Sequence, residues 1–443
     1  MDRTLGWIGI FRLGLVQTAI GSIVVLVTAT LNRVMVVELS LAAIIPGLLV
    51  GLHYGVQLLR PLWGHASDVG GKRARWIVGG VALLGLGAAG ASVAVAVMAD
   101  NLALGLALAF VDFVLIGVGV GAAGTSLLAL LAGSVAPERR PAAATIVWLM
   151  MILGMAMTAT IAGGLLDPFS HGRLIAVVSV VALGAFALTA VALWGIEGSV
   201  SVGTGAPPRP AVSFRRSLAD AWADPRARLF TIFVFVSMLA YSAQDLILEP
   251  FAGLVFGWSP GETTRLAGIQ HGGVFLGMIV TGALGSLLSR HYPGALRAFT
   301  VGGCLASALA LLGLTLAAVH PESWPLKANV FALGVANGVF AVAAIGSMMA
   351  LAGAAGPERT GMRMGLWGAA QAIAFGLGGL VGTASVDATR WLTGEIAFSY
   401  GLVFAAEAVV FLAAAALAAG ISQARRPASA RPVETIAHVA PAE

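Results

Sequence analysis

The chain is divided into roughly twelve apolar runs, each close to the twenty residues that a helix needs to cross the hydrocarbon core of a bilayer. No other feature limits the fold so severely. A segment surrounded by lipid must satisfy its own backbone hydrogen bonds, which leaves helices and closed barrels. The runs are continuous rather than alternating, and that excludes a transmembrane β-barrel. Composition agrees, because 59% of the 443 residues are hydrophobic and 10% are charged, too little polar surface for a soluble protein. The expected fold is an all-α membrane protein with spans at 9–31, 41–62, 76–99, 102–131, 141–166, 173–195, 229–249, 264–289, 297–319, 327–355, 361–386 and 397–420.

A formal net charge of +5 would suggest nucleic acid as a partner of a soluble chain. Here twenty of the 25 Lys and Arg residues fall at one side of the alternating spans. That bias orients membrane proteins, with the basic side cytoplasmic. It predicts cytoplasmic termini and no nucleic-acid partner. The single cysteine, Cys304, forbids an internal disulfide and offers no metal cluster. Met1 to Leu15 has no short apolar core with a cleavage site, so it is expected to enter an uncleaved first helix.

The sharpest polar break is Gly64-His65-Ala66-Ser67-Asp68-Val69-Gly70-Gly71-Lys72-Arg73-Ala74-Arg75. Its Gly-x-x-x-Asp-x-x-Gly-Lys-Arg spacing resembles the signature loop between helices 2 and 3 of the major facilitator superfamily. Gly64 and Gly71 allow a tight turn, Asp68 suits a helix N-terminus, and Lys72 and Arg73 mark the cytoplasmic side. The alternative is an ordinary basic loop. The resemblance implies a bundle of two pseudo-symmetric six-helix halves and a conformational role for this loop.

An internal repeat supports two halves. Leu131-Ala132-Gly133 followed by Pro137-Glu138-Arg139 returns 220 residues later as Leu351-Ala352-Gly353 followed by Pro357-Glu358-Arg359, as parallel repeats require. The expected organisation is a first half over 1–197, a linker over 198–228, a second half over 229–421 and a disordered tail over 422–443. Within the linker, Phe214, Leu218, Ala221 and Trp222 share one helical face, which suggests a short helix on the membrane surface.

Charges near hydrocarbon are costly and belong in pairs or cavities. Gln17, Gly21, Thr28 and Asn32 fall near one face of the first span by helical periodicity. That span ends in Leu31-Asn32-Arg33-Val34-Met35-Val36-Val37-Glu38-Leu39. The seventh ends in Gln244-Asp245-Leu246-Ile247-Leu248-Glu249-Pro250-Phe251, with Tyr241, Asp245 and Glu249 stacked at i, i+4 and i+8. Arg33 is expected to pair with Glu249 or Glu38 as a gate, or these groups line a cavity that binds a polar group or a proton. Asp112 is a further intramembrane carboxylate, either a helix contact or a proton-coupling residue.

Those two segments, with Gly261-Glu262-Thr263-Thr264, resemble the signature segments of the PucC/LhaA family, and the similarity extends over all twelve spans. The compact Gly64 to Arg75 loop is similar to the smaller branch of that family, sometimes labelled a bacteriochlorophyll synthase chain. The resemblance implies a carrier or assembly chaperone that delivers bacteriochlorophyll to light-harvesting apoproteins in a photosynthetic bacterial membrane. It implies light-harvesting or reaction-centre assembly proteins, bacteriochlorophyll synthase and membrane lipid as partners. Pigment-binding candidates are then His53, His271, Gln17, Asn32 and Gln244, the histidines as packing residues or as axial ligands to magnesium. Synthase activity lacks support, because the one acidic pair, Asp220 and Asp224, has no second cluster to hold magnesium on a diphosphate. A proton-coupled transporter of a small solute and an accessory chain of pigment synthesis remain the alternatives.

Overall fold

A computed structural model describes residues 4–60, 63, 73–196, 219, 222–288, 291–292, 294–354 and 357–421. Twelve helices run through them: α1 (Trp7–Glu38), α2 (Ile44–Leu59), α3 (Arg73–Met98), α4 (Leu102–Ser134), α5 (Arg140–Leu166), α6 (His171–Leu193), α7 (Pro225–Phe256), α8 (Pro260–Leu288), α9 (Ala295–Val319), α10 (Leu326–Ala354), α11 (Pro357–Thr393) and α12 (Ile396–Gly420). Eleven of these are long and apolar enough to cross a membrane, and α2 is a shorter apolar helix. Because the helices alternate in direction, α1 begins and α12 stops at one end of the bundle. This is termed the terminal end below, and the opposite one the far end.

Three helices outrun the ends of their expected spans by seven residues, the eleventh by running on to Thr393. The first continues to Glu38 by changing its winding, since Leu26–Leu31 and Val34–Glu38 form π-helical turns. The seventh continues through Pro250 to a left-handed Gly257 that stops it, so Asp245 and Glu249 lie inside the helix and not at its end. The residues Gly64, Asp68, Gly71 and Lys72 of the signature loop, the proposed surface helix around Phe214 and Leu218, and the 422–443 tail lie outside the described residues.

Burial gathers around two large cores, with a small third cluster of Ile152, Val274 and Met278 joining α5 to α8. One joins residues from Leu5 to Ile196 with Leu246 and Ala267; the other joins Phe230 to Ile421. Apolar attraction between helices is weak in lipid, so close backbone approach supplies much of the packing. On α8, Gly273 and Gly277 lie against the α10 backbone at Phe331 and Val335, while Gly334 and Gly338 of α10 lie against α8 at Gln270 and Val274. A Cβ on Gly338 would come within 2.9 Å of the Met278 nitrogen, which leaves no room for a larger residue.

Several arginines at the terminal end cap helices within their own half. Arg12 donates to the Ala192 carbonyl at the end of α6 (3.0 Å), and Arg73 to the Ala129 carbonyl on α4 (2.9 Å). Arg363 donates to the Leu351 carbonyl on α10 (3.0 Å) and pairs with Asp224. Guanidinium groups suit the negative ends of helix dipoles. Asp224 itself receives the Arg226 N–H at the start of α7 (2.9 Å), so it is a capping residue committed to packing.

Candidate functional site where the two halves meet

Among the described residues, the hydrogen bonds that join the halves lie toward the far end. Four of them form two clusters that are related by the sequence repeat. At the end of α5, Asp167 accepts from the Ser259 hydroxyl (2.9 Å) and the Gly261 N–H (3.2 Å), at the start of α8. Near the end of α11, Asp387 accepts from the backbone N–H groups of Ala43 (3.0 Å) and Ile44 (2.7 Å), at the start of α2. The two aspartates are 220 positions apart, the same offset as the repeated Leu-Ala-Gly and Pro-Glu-Arg segments. A carboxylate at a helix N-terminus is favoured by its unpaired N–H groups and by its dipole. Each half therefore latches one helix start of the other.

Between the latches, α1 touches both α7 and α8. Asn32 donates to the Leu246 carbonyl (2.6 Å), and Thr30 and Thr264 share a hydroxyl contact of 3.0 Å. Arg33 is buried, pairs with Glu38 and donates to the Trp258 carbonyl across the interface (2.7 Å). The π winding explains the choice of partner. Residues five apart diverge by about 140° in an α-helix but follow the i→i+5 bond in a π turn, which brings Glu38 round to Arg33. Glu249 faces Arg33 and Thr263, yet the Thr263 hydroxyl donates to Pro260 and both Glu249 oxygens are buried without a hydrogen-bond partner.

The stripe expected on α1 is split by the same change of winding. Gln17 contacts the Met151 sulfur (3.0 Å) and Gly21 packs on Met151 and Met155, both turned toward α5. Thr28 instead lines a small cavity with Asp245, Glu249, Gln270 and His271. Its volume is about 20 Å³, enough for one water at the roughly 10–15 Å³ that a water requires. Asp245 accepts from Gln270 there (3.1 Å).

The histidines differ in what they can offer. Gln57 donates its amide to Nε2 of His53 (2.9 Å) while its oxygen accepts from Arg60, so the lone pair of His53 is already engaged. The ring is 2% exposed. His271 donates from Nδ1 to the Ala267 carbonyl (2.8 Å), which leaves Nε2 as the nitrogen with a lone pair, and the residue lines the cavity. Asp112 sits apart, on the contact of α4 with Gly90 of α3. Gln244 is buried, and neither of its side-chain polar atoms has a partner among the described residues.

Toward the terminal end the polar contacts give way to aromatic ones. Tyr54 of α2 packs on Phe375 of α11 (ring centres 5.7 Å apart), Phe375 on Tyr241 of α7 (5.9 Å), and Tyr241 on Phe340 of α10 (6.3 Å). This seam crosses from one half to the other. Tyr54, Tyr241 and Phe375 are half-buried. Tyr241 continues the stack formed by Asp245 and Glu249 along α7, and so the predicted i, i+4, i+8 stripe does face the other half.

Sequence reasoning passed over Asp167, Asp387, Tyr54, Phe375 and Glu407. The aspartates carried a signal in their 220-residue offset. Glu407 carried one as a lone carboxylate within an apolar span; it is buried on α12, and neither oxygen has a partner among the described residues. The aromatics had none, being indistinguishable from packing residues.

The architecture and this interface define a multi-pass membrane protein with the two-half fold of major-facilitator transporters. Solved structures agree on the fold: a bacterial homologue of the human lysosomal transporter Spinster, inward-facing and unoccupied, superposes with a TM-score of 0.70 at 16% identity over 93% of this chain and 95% of that one. A peptide transporter POT in complex with sulfate gives 0.64 at 16% identity over 95% and 97%. The chain belongs to the family described as PUCC protein, which matches residues 30–426. It is 53% identical to the bacteriochlorophyll synthase 44.5 kDa chain of Rhodobacter capsulatus, over 95% of this chain and 97% of that one. It is 29% identical to Protein PucC of the same organism, over 92% and 91%.

Proposed function

We propose that the protein is a non-enzymatic carrier or assembly chaperone for bacteriochlorophyll, handing pigment to light-harvesting or reaction-centre apoproteins. It would act in the bacterial inner membrane with both termini in the cytoplasm, the side that the Lys and Arg bias favours. The observation that carries this reading is the half-buried aromatic seam of Tyr54, Phe375 and Tyr241, which crosses from one half to the other. A seam of aromatic side chains suits a large planar macrocycle, which gains dispersion and quadrupole contacts from stacked or edge-on rings. Tyr54, Tyr241, Asp245 and Gln270 add the few convergent polar groups that orient a ligand in an apolar site. The relative at 53% identity bears a bacteriochlorophyll name. His271 is better disposed than His53 to reach a metal, since its Nε2 lone pair is uncommitted.

The 20 Å³ cavity beside Asp245 and Glu249 favours a second reading, a proton-coupled transporter of a small solute. An accessory role in pigment synthesis, beside bacteriochlorophyll synthase, draws less support, because Asp224 is committed to capping α7 and to Arg363.

The test is the absorption spectrum of the protein purified in mild detergent from photosynthetically grown cells. Co-purified bacteriochlorophyll is expected, reduced several-fold by Tyr241→Ala together with Phe375→Ala. A colourless wild-type protein from cells with normal pigment would overturn the proposal.

A further inference from the structure

A second concave site lies outside the interface, on the flank of the N-terminal half at its terminal end. Trp63, Arg75, Trp76, Gly79, Gly80, Leu83, Val118 and Ala122 line a groove of about 360 Å³, within the roughly 300–1,000 Å³ typical of small-molecule sites. Its walls are the first turns of α3 and the middle of α4, closed on one side by the Trp63 ring. Two features separate it from an ordinary gap between helices. The indole nitrogen of Trp63 is buried with no hydrogen-bond partner among the described residues, beside Gly121. A buried donor left unpaired is costly, so the Trp63 ring is held by its apolar contacts alone. The two glycines of the floor also differ. A Cβ on Gly80 would strike Ala123 at 2.6 Å, whereas one on Gly79 meets nothing within 4 Å, so Gly80 serves packing and Gly79 leaves the groove open.

The charge at its mouth is of one sign. Arg75 lines the groove, and the stem of Arg60 passes beside Gly121; both residues are exposed. No carboxylate is among the lining residues. The groove sits where the span of α3 begins at Arg73, so its apolar floor is at acyl depth and its arginines are at headgroup depth. Tryptophan is enriched at that boundary, where one end of the ring is wet and the other dry.

We propose that this groove binds one anionic glycerophospholipid of the surrounding bilayer. One acyl chain lies over Gly79 and Leu83 between the two tryptophans. Arg75 and Arg60 face the phosphate. The guanidinium fork suits phosphate geometrically as well as electrostatically.

The experiment is native mass spectrometry of the full chain in detergent, titrated with phosphatidylglycerol or with phosphatidylcholine of the same acyl chains. One phosphatidylglycerol is expected to bind preferentially. Arg75→Gln should cut the preference about fivefold, as removal of one basic side chain near an anionic headgroup implies. Gly79→Leu should abolish binding of both lipids at this site while thermal unfolding is unchanged, because the new side chain enters open space. Equal binding of the two lipids by the wild type, an unchanged preference in Arg75→Gln, or full occupancy in Gly79→Leu would each overturn the proposal. So would co-purified pigment, rather than phospholipid, that is lost in Gly79→Leu. The Arg75 variant changes an exposed side chain and decides the matter even if Gly79→Leu accumulates poorly.

Discussion

Arg33 is the residue on which the far-end interface depends. It is 2% exposed while Glu38 is 34% exposed, so the two ends of this ion pair are not equivalent. Removing Glu38 leaves Arg33 with the Trp258 carbonyl and Glu249 nearby, and partly exposed pairs contribute about 0–1 kcal/mol. Removing Arg33 takes the donor from the Trp258 carbonyl and leaves Glu249, already without a hydrogen-bond partner among the described residues, with no cation nearby; each buried polar group left unsatisfied costs about 1–3 kcal/mol. Glu38→Gln should therefore lower the unfolding midpoint of the purified protein slightly, and Arg33→Gln much more. Adding Glu249→Gln to Arg33→Gln should recover part of the loss, since the stranded carboxylate is gone. A double variant no more stable than Arg33→Gln alone would show that Glu249 does not need the guanidinium. The sequence made this cluster visible, through charges in apolar spans at helical spacing. It did not reveal the partner, because π winding has no local signature in Val34-Met35-Val36-Val37.

At the scale of helices, the aspartate latches make opening of the far end a property of both interfaces at once. Asp167 holds the start of α8 and Asp387 the start of α2, and each cap contributes roughly 0.5–2 kcal/mol. If the halves move as units, loosening one latch should open the other interface. The reporter is a cysteine pair at Gly47 and Thr383, where a Cβ on Gly47 lies 3.2 Å from the Thr383 Cβ, a few tenths of an ångström short of the about 3.5–4.5 Å of a disulfide. Cys304 is buried and should stay silent. Asp167→Ala, on α5, should slow oxidation of this pair between α2 and α11 by several-fold. An unchanged rate would mean that α5 and α8 fray alone. Helix number, order and the 220-residue repeat were legible in the sequence, since hydropathy and repetition survive without three-dimensional context. Helix ends were not, because α1 and α7 pass through Asn32-Arg33 and Glu249-Pro250, where polarity and proline ordinarily mark a stop; pairing across the interface offsets that cost.

For the whole molecule, the question is which step fails when the protein is lost. A carrier acts on finished pigment, so a deletion strain should still esterify bacteriochlorophyllide to bacteriochlorophyll, while assembled antenna absorbance falls by most of its wild-type value. A subunit of the synthase would instead let the unesterified precursor accumulate, and a transporter of a small solute would leave pigment and antenna nearly unchanged in rich medium. The architecture favours the first outcome. Its aromatic seam bridges two halves that are latched at one end, and the acidic residue nearest to a diphosphate motif, Asp224, is occupied by the α7 backbone and Arg363. Extracted pigment species and antenna absorbance must be measured on the same cultures, because loss of antenna alone also follows from a shortage of pigment. Complementation with Asp167→Ala plus Asp387→Ala adds a second arm: a carrier that cycles between latched and unlatched states should restore the antenna only in part, while a purely structural scaffold would restore it fully. Accumulated bacteriochlorophyllide without mature pigment would defeat the carrier reading whatever the antenna signal did.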